Sequence, residues 1–412
     1  MTPAVKDRIE QIRHGNVPDG YKKTESGIIP NEWRVGQIAE CIEEYKVLSN
    51  DIVHIPVYSS SRKGLIPQSD YYDQREAVET YLGYKVVPLG YVTYRHMSDD
   101  DVFHFNINGT GGDILVSSEY PVFTTSGNCD LGFLIPALNS TARFRYFCKT
   151  QKLGGTRTRL YLDNLKKYTL PLPPHSEQQK IAEILTAQDK VIELKEKRLA
   201  EKQRQKKYLM QQLLTGKKRL PGFDGEWKQE KLGKLFAERS ETKCEHLELL
   251  AITGTQGVIP RSQLDLKDNS SEDKSKYLHI CVGDIGYNTM RMWQGISAYS
   301  NYDGIVSPAY TILKPKGNIN AKYFAYLFKM PEVVFLFYRY SQGLVDDTRN
   351  LKYENFKKIS VTYPENIEEQ NAIVSILETA DKEIDLLRQD IEQEKQKKKA
   401  LMQLLLTGIV RV

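Results

Sequence analysis

The densest run of charged side chains in the sequence has the chemistry to bind phosphate groups. Six basic residues lie between positions 149 and 167, against the single acid Asp163: Lys149, Lys152, Arg157, Arg159, Lys166 and Lys167. Residues 154–159, GGTRTR, combine a backbone that can approach a ligand closely with hydroxyl and guanidinium groups, which suit phosphate oxygens and guanine edges. A solvated loop is an equally good interpretation of this run by itself.

Other loops carry side chains that could read bases, because Gln, Asn and Arg make bidentate contacts to adenine or guanine. In the first half of the chain the candidates for DNA binding are Ser60, Arg62, Lys63, Tyr94, Arg95, His96, Arg157, Thr158 and Arg159. In the second half they are Thr253, Thr255, Gln256, Arg261, Asn288, Arg291, Arg349 and Lys352. The second set is less basic and adjoins Asp346 and Asp347, so we expect the two halves to bind different targets. Each of these side chains could equally cap a turn.

Motifs for catalysis are missing from the sequence. It has no GxxxxGK[ST] nucleotide loop, no HExxH metal helix, no GxSxG elbow, no NPPY-like tetrapeptide and no recognisable S-adenosylmethionine loop. We therefore predict no catalytic residue, and we do not expect the chain to transfer methyl groups by itself.

The sequence also argues against a metal site. Its five cysteines are odd in number, far apart and never in a CxxC pair, which disfavours both a disulfide framework and a zinc site. His96 and His104 flank the acidic triplet at 99–101, where a metal could in principle bind; an acidic, solvated turn is the favoured interpretation.

Length and composition limit the class of protein. A chain of 412 residues exceeds one compact core, which indicates two or more domains. Its formal net charge is only +5, so local patches must bind any polyanionic partner. No apolar run approaches the roughly 20 residues of a membrane helix, and the N-terminus lacks an apolar signal core. We therefore predict a cytoplasmic protein.

A duplication of the chain must position the candidate side chains. Residues 177–216 and 369–408 are identical at 18 of 40 positions with a constant offset of 192, and shorter matches recur upstream, such as GLIPQS at 64–69 and GVIPRS at 257–262. Short β-rich runs at 85–94, 113–123 and 305–313 and a helical run at 321–329 predict a mixed α/β domain in each half, with an underivable strand order. The predicted segments are 1–27 with a short helix, globular domains at 28–173 and 217–365, and long helices at 174–216 and 366–412.

The long helices are predicted to pair as an antiparallel coiled coil. They open at possible capping boxes, Ser176 with Gln179 and Asn366 with Glu369, and each ends at a Thr-Gly pair. Apolar residues alternate steps of four and three in the second copy, at Ile373, Leu377, Ala380, Ile384, Leu387 and Ile391. The first copy has Ile181, Leu185, Gln188, Ile192, Lys195 and Leu199 at the same steps. Gln188 and Lys195 interrupt its seam opposite nothing similar in the second copy, so the pair is predicted to be unequal.

Antiparallel pairing is preferred to parallel pairing because of the N-terminus. Residues 6–15 have Val5, Ile9 and Ile12 on one face and end in a glycine, as the last turns of a third connector helix would. We expect this fragment to dock beside the C-terminal helix.

The whole chain resembles the specificity subunit of a type I restriction-modification system. The likeness rests on the two similar helix starts, SEQQKIAEILTAQDKVIELKEK and IEEQNAIVSILETADKEIDLLRQ, on the ends LMQQLLTG and LMQLLLTG, and on the stretches RLPGFDGEW and GYKKTESGIIPNEW. It implies two target-recognition domains that each bind half of a split, asymmetric site in double-stranded DNA. It also implies two methyltransferase subunits along the helices and restriction/translocase subunits that join them, with S-adenosylmethionine, ATP and Mg on those partners and no cofactor in this chain. The alternative is a non-catalytic, two-headed scaffold that binds proteins or glycans through a coiled-coil spacer.

Overall fold

The chain forms two compact units in a computed structural model that describes residues 2–50, 55–68, 82–152, 155–254, 256–264 and 273–412. Unit 1 comprises Met1–Glu196 with Asp390–Val412, and unit 2 comprises Lys197–Gln389. The predicted boundaries separated the long helices from the globular domains. In the structure each unit instead contains one globular domain together with a part of both long helices.

Unit 1 is a mixed α/β structure. Its strands are β1 (Tyr21–Thr24), β2 (Gly27–Pro30), β3 (Arg34–Gln37), β4 (Ile42–Glu44), β5 (Tyr58–Ser61), β6 (Gly64–Pro67), β7 (Lys85–Val87), β8 (Val92–Tyr94), β9 (Met97–Ser98), β10 (Phe105–Ile107), β11 (Ile114–Val116), β12 (Val122–Thr125), β13 (Thr158–Arg159) and β14 (Thr169–Leu172). Its helices are α1 (Pro3–Arg13), α2 (Leu131–Ser140), α3 (Ala142–Thr150), α4 (Leu162–Lys166) and the start of α5 (His175–Leu213).

Unit 2 is also a mixed α/β structure, with fewer strands among its described residues. Its strands are β15 (Trp227–Lys231), β16 (Phe236–Arg239), β17 (Leu250–Thr253), β18 (Gly257–Pro260), β19 (Leu278–Ile280), β20 (Ile285–Asn288), β21 (Ser297–Tyr299), β22 (Gly304–Val306), β23 (Tyr310–Pro315) and β24 (Ser360–Pro364). Its helices are α6 (Leu232–Leu235), α7 (Ala321–Leu327), α8 (Pro331–Tyr340), α9 (Tyr353–Phe356) and the start of α10 (Ile367–Leu405).

The strand order, which the sequence left open, is the same in both units. A four-stranded antiparallel sheet has the order β10-β8-β12-β4 in unit 1 and β21-β20-β23-β16 in unit 2. Two-stranded pairs recur likewise, β7 with β11 and β5 with β6 in unit 1, and β19 with β22 and β17 with β18 in unit 2. In each unit the last strand of the globular domain also pairs with a strand from its beginning, β14 with β3 and β24 with β15. The predicted duplication is therefore a duplication of the fold.

Aromatic side chains fill the core of each unit beside the ends of the long helices. In unit 1, Phe105, Phe123 and Phe133 pack in one cluster that also includes Ile181 of α5 and Leu405 of α10. The corresponding cluster of unit 2 contains phenylalanines at 236, 324, 328, 337 and 356 together with residues of both long helices. The helix ends are thus part of each core, which explains why the units divide the helices.

The long helix segments run antiparallel within each unit. In unit 1, Gln188 bonds to Glu394 at 2.7 Å and Lys195 bonds to Asp390 at 2.8 Å, so residue numbers rise along one segment as they fall along the other. In unit 2, Lys202 lies 2.7 Å from Glu383, and Lys206 pairs with Asp381.

The predicted seam residues are all buried or half-buried. Gln188 and Lys195 share a partner outside the predicted seam, because Glu394 accepts hydrogen bonds from both, whereas Ala380 and Leu387 at the equivalent positions of the second helix are apolar. Glu394 lies one step of three beyond Ile391, the last predicted seam position. The seam therefore extends one position further along the second helix than predicted, and its polar residues form one half-buried network.

A Glu-Gln pair at the start of each long helix ties the helix to its globular domain. The Gln178 side chain donates to the Pro173 carbonyl at 3.0 Å and accepts from Asp130 N at 2.9 Å. In unit 2 the Gln370 side chain likewise donates to the Pro364 carbonyl at 2.8 Å and accepts from Asn320 N at 2.8 Å. These buried amides fix the angle at which each helix leaves its domain.

The predicted capping boxes need correction. Helix α5 begins at His175, so Ser176 lies inside it rather than at its cap. Asn366 does cap α10, with its Oδ1 accepting from Glu368 N at 2.9 Å, but the carboxylate of Glu369 turns to Arg219 at 2.7 Å. Gly216 and Gly408 follow the helices with φ of 70° and 72°, the conformation expected at a helix end.

The N-terminal helix α1 belongs to unit 1 and lies against the segment that follows α10. Arg8 Nη1 donates to the Ile409 carbonyl at 2.8 Å, and Tyr21 OH donates to the Gly408 carbonyl at 2.8 Å. Across the described ranges, no helix is both long and apolar enough to span a membrane.

Candidate nucleic-acid interface

In unit 1 the basic run lies beside the end of a central strand. Strand β13 pairs with β9, and Leu160 N donates to the His96 carbonyl at 2.8 Å, directly after β8. Tyr94 OH donates to the Leu160 carbonyl at 2.9 Å from the other side. These bonds bring together the loops that follow β8 and precede β13, and the Asn106 side chain of β10 adds the turn before β6 by donating to the Ser61 carbonyl at 2.9 Å.

The basic side chains at this point of unit 1 are solvent-exposed. They are Arg62, Lys63, Arg95, Arg157 and Arg159. Two of them, Arg62 and Arg95, lie in the wall of a cavity of about 470 Å³ that Asp99 and Glu119 also line. The arrangement offers several guanidinium groups to one ligand, as a phosphate backbone or a guanine edge requires.

Three consecutive aspartates hold part of this basic cluster. In this aspartate turn, Asp99–Asp101, Asp99 Oδ1 accepts from Arg157 Nε at 2.7 Å, and Asp100 accepts from Arg62. The hydrogen bond from Arg62 keeps the pKa of Asp100 below its ordinary value. The predicted solvated acidic turn therefore acts as the partner of the predicted DNA-binding arginines.

Four of the candidates in unit 1 are buried, and the prediction that they contact DNA is corrected for them: Ser60, Tyr94, His96 and Thr158. Ser60 accepts a hydrogen bond from Asn106 at 2.8 Å, and Thr158 donates to Asp101. The His96 ring stacks on the Tyr161 ring, with 5.4 Å between the ring centroids, and burial lowers the pKa of His96. These side chains support the exposed loops from beneath.

Unit 2 places its candidates at the equivalent strand end. Leu351 N donates to the Thr289 carbonyl at 2.8 Å, directly after β20, as Leu160 does after β8. Arg291 and Lys352 are exposed beside this contact, and Asn288 is half-buried with its Oδ1 accepting from Met290 N at 3.0 Å.

Arg349 of unit 2 has partners of a different kind. Its guanidinium lies 4.1 Å from the ring centroid of Tyr338 and donates to the Tyr338 hydroxyl at 3.0 Å. It also donates to Asp346 at 2.7 Å. Arg349 is therefore held by an aromatic face and one carboxylate.

The loop between β17 and β18 behaves as a turn. Thr253 Oγ1 donates to the Gly257 carbonyl at 3.0 Å and accepts from Gln256 N at 2.8 Å, which is the capping alternative that the sequence left open. The Gln256 side chain is exposed, Arg261 is half-buried, and Thr255 lies outside the described residues.

The sequence did not reveal the apolar residues at the same end of unit 2. Leu344 is 100% exposed and Val345 is 59% exposed, next to the bonds of Arg349. Apolar residues are normally predicted to be buried. Only the position of Leu344 and Val345 between Gly343 and two aspartates indicates that they lie in a loop.

Two overlapping side-chain sets in unit 2 could hold a metal ion. They are Glu241, Cys244 and His279, and His279, Cys281 and Asp303. His279 Nδ1 lies 3.0 Å from Glu241 and Nε2 lies 2.9 Å from Asp303. Burial lowers the pKa of His279, but these two hydrogen bonds outweigh it and the pKa is raised. A protonated ring satisfies both carboxylates, so the cluster is complete as an ion-paired network.

Comparisons with known proteins agree on one family. A model described as the type I restriction modification DNA specificity domain matches residues 103–203 and 226–396, and each match begins in a globular domain and ends in a long helix. The "Putative type I restriction enzyme MjaX specificity subunit" of Methanocaldococcus jannaschii is 24% identical over 434 aligned positions, which cover 96% of this chain and 97% of that protein.

Solved structures share the fold. The crystal structure of a type I restriction-modification S subunit from M. genitalium matches with a TM-score of 0.55 and 14% identity, covering 90% of this chain and 96% of that one. A chain from a structure described as the basis of complex assembly and conformational transition of the type I system matches with a TM-score of 0.54 and 16% identity, over 93% and 99% of the two chains.

Proposed function

The chain belongs to the family of type I restriction-modification DNA specificity subunits, and we propose that its two globular domains each bind one half of a split, asymmetric DNA target. The observation that carries this proposal is the repeated position of exposed cations. Arg95 and Arg159 in unit 1, and Arg291 and Lys352 in unit 2, lie at the same end of equivalent sheets.

Charge and hydrogen bonding support duplex DNA as the ligand. Exposed lysines and arginines at one strand end can contact successive phosphates, and Arg95, Arg159 or Arg291 can reach guanine in the major groove. Because the two sets differ in composition, the two domains bind different half-sites, which makes the target asymmetric.

Salt dependence tests the phosphate contacts. Affinity for random duplex DNA should fall steeply with rising salt, and Arg159→Ala should reduce the slope of log K against log salt by about one unit. Lys180→Ala, which removes an exposed cation from α5, is the matched control and should leave the slope unchanged. A salt-independent affinity would favour the two-headed protein or glycan scaffold instead.

We further propose that two methyltransferase subunits bind equivalent faces of the long helices. Leu194 and Leu386 occupy corresponding positions at the offset of 192 and lie outside both seams. They are 54% and 65% exposed, in unit 1 and unit 2 respectively. An exposed leucine retained in both copies suits two identical partners that each cover one of them.

Stoichiometry tests this surface. Leu194→Lys or Leu386→Lys should each reduce the number of methyltransferase subunits bound from two to one, and the double variant should bind none, as measured by native mass spectrometry. Lys190→Ala, at an exposed position of α5, is the control. Two bound subunits in the double variant would contradict the assignment.

The length of the helices is proposed to fix the unspecified gap in the target. Both helices have 39 residues. Removing seven residues from the middle of each preserves the heptad seam and shortens each helix by about 10 Å, or about three base pairs. Sequencing of methylated adenines should then show a shorter gap, and an unchanged gap would rule the spacer role out.

Catalysis is assigned to partner subunits that supply S-adenosylmethionine, ATP and Mg. The purified chain, incubated with labelled S-adenosylmethionine and duplex DNA, should transfer no label unless methyltransferase subunits are added. Transfer by the chain alone would identify it as a methyltransferase in its own right.

A further inference from the structure

A small hairpin of unit 2 projects beside the candidate DNA-binding side chains. Gln342 N donates to the Asn350 carbonyl at 2.8 Å, and Asn350 N donates back to the Gln342 carbonyl at 2.7 Å. Gly343 has φ of 139°, and a Cβ there would lie 2.7 Å from the backbone of Thr348 and Arg349. The hairpin therefore closes tightly on a position that only glycine fits.

The end of this hairpin is apolar and solvated. Leu344 is 100% exposed and Val345 is 59% exposed; we call these two residues the apolar tip. Met290, on the neighbouring loop after β20, is 49% exposed. A single exposed leucine is ordinary, but a wholly exposed one on a closed hairpin, with a second apolar residue beside it, is a surface that a ligand would cover.

Aromatic contacts support the hairpin from below. The guanidinium of Arg349, at the end of the hairpin turn, lies 4.1 Å from the ring centroid of Tyr338. The Trp293 ring packs against the same tyrosine, with 6.3 Å between the ring centroids. The Trp293 Nε1 donates to the Met290 carbonyl at 3.0 Å within the loop after β20, so the ring contact of Trp293 with Tyr338 connects that loop to α8. The tip is consequently held in place on a rigid aromatic base.

The charges around the tip identify its ligand. Arg291, on the loop after β20, and Lys352, two residues after the hairpin, are exposed, and of the two acids in the hairpin turn, Asp346 and Asp347, the first is paired with Arg349. Exposed cations beside an apolar point suit a polyanionic ligand. A DNA duplex presents two phosphate strands around a stack of apolar base faces, and proteins that deform DNA insert apolar side chains between bases.

We propose that Leu344 and Val345 enter the target duplex as a wedge and partly unstack one base step of the half-site bound by unit 2. This inference rests on the proposed DNA-binding function. It implies that unit 2 selects its half-site partly by deformability, which favours a flexible pyrimidine–purine step at the wedge. In unit 1 the repeat places Leu153 at the position of Leu344, and because Leu153 lies outside the described residues the wedge is proposed for unit 2 alone.

The experiment uses the complex of this chain with its methyltransferase subunits on the target defined by methylome sequencing. 2-Aminopurine is placed at successive positions of the half-site of unit 2, away from the methylated adenine. Its fluorescence should rise at one step on binding. Leu344→Ser should abolish that rise and weaken specific binding by about tenfold, without changing the salt slope, because no phosphate contact is lost.

Two variants provide controls. Leu344→Met keeps an apolar side chain of similar size and should retain the fluorescence signal. Val282→Ser changes a residue that is 60% exposed on the turn preceding β20, at the opposite end of that strand, and should change nothing. Because Leu344 touches solvent alone, its substitution leaves the fold intact.

The outcomes separate the two levels of inference. Specific binding with no local fluorescence rise, or with full affinity in Leu344→Ser, overturns the wedge and leaves the DNA-binding function standing. Loss of methyltransferase subunits from Leu344→Ser, with unchanged DNA affinity of those complexes that remain, assigns the tip to a protein contact and also overturns it. If the unsubstituted complex has no preference for any duplex, the proposed function itself fails.

Discussion

The two units present different chemistry at the same place in the fold. After β8 of unit 1, the aspartate turn holds Arg62 and Arg157 through carboxylates. After β20 of unit 2, Arg349 lies on a tyrosine ring and the loop ends in exposed apolar residues. The sheets beneath these loops have the same strand order. Duplication has therefore kept the framework, whereas the loops, which contact the ligand, have diverged.

The frameworks are alike down to single buried charges. Glu177 accepts from Trp33 Nε1 at 3.0 Å and from Arg411 at 2.6 Å. In unit 2, Glu369 accepts from Trp227 Nε1 at 3.4 Å and from Arg219 at 2.7 Å. In unit 2 this arginine, Arg219, lies shortly before β15, the first strand of the unit. In unit 1 the equivalent arginine is Arg411, which follows α10. The C-terminal segment thus completes the first domain.

The largest effect is expected at this shared charge. Glu177→Gln and Glu369→Gln should each reduce the free energy of unfolding by about 2 kcal/mol, because an arginine loses its buried partner; this is below the usual cost since the arginines are partly exposed. Urea unfolding measures it. Glu183→Gln, exposed on α5, should cost under about 0.5 kcal/mol. If the free energy of unfolding fell by very different amounts in Glu177→Gln and Glu369→Gln, the two buried glutamates would not be equivalent.

The aspartate turn gives the next largest effect. Asp99→Asn with Asp100→Asn should free Arg62 and Arg157, raise the affinity for random duplex DNA, and steepen its salt slope by up to about two units. Fluorescence anisotropy at several salt concentrations measures both. Asp346→Asn in unit 2 should do less, because Tyr338 still holds Arg349.

Asp19→Asn is the matched control for the aspartate turn, since Asp19 is an exposed acid of unit 1 outside the basic run. An unchanged slope in the double variant would mean that Arg62 and Arg157 do not contact phosphates. The contrast between the two units would then rest on the stacking of Arg349 on Tyr338 in unit 2.

Acid should weaken the seam of unit 1. Hydrogen bonds from Lys195 and Gln188 lower the pKa of Glu394 to about 2 from an ordinary 4.5. A lowered carboxyl pKa stabilises the fold above pH 4.5, and that contribution is lost as pH falls toward 2. Melting temperatures between pH 3 and 7 should decline less in Glu394→Gln than in the unsubstituted protein. An identical decline would show that this network adds nothing.

The smallest effect concerns His279 in unit 2. Its pKa is raised, so its pairing with Glu241 and Asp303 stabilises the fold below its ordinary value of 6.5 and is lost as pH rises through the raised pKa. Melting of unit 2 should therefore weaken slightly above neutral pH, and His279→Gln should remove that slope. His175→Gln, at an exposed position, should keep it. A slope that survives in His279→Gln would contradict the account.

Periodicity and repetition made the framework predictable. A constant offset located both copies, and steps of four and three identified Ile181, Leu185, Ile373 and Leu377, all of which are buried. The helices end at Leu213 and Leu405, just before the predicted Thr-Gly pairs. Both signals can be read from a single sequence, because periodicity is a local pattern and a repeat appears when the sequence is compared with itself.

The binding surface was less predictable because its contacts are not local. Tyr94 lies on β8, whose three residues are all buried, so its polar group serves the core instead of a ligand. The aspartate turn meets Arg62 and Arg157 across gaps of 38 and 58 residues, which no local pattern encodes. Leu344 violates the rule that apolar residues are buried, and such exceptions occur where a partner binds.

The central claim is that one framework carries two independent recognition surfaces. It is tested most directly by exchanging residues 28–173 for the same segment of another family member and sequencing methylated adenines in cells that contain the complete system. We predict a methylated DNA motif in which one half changes while the other half and the gap are retained. A change in both halves, or in the gap, would contradict it.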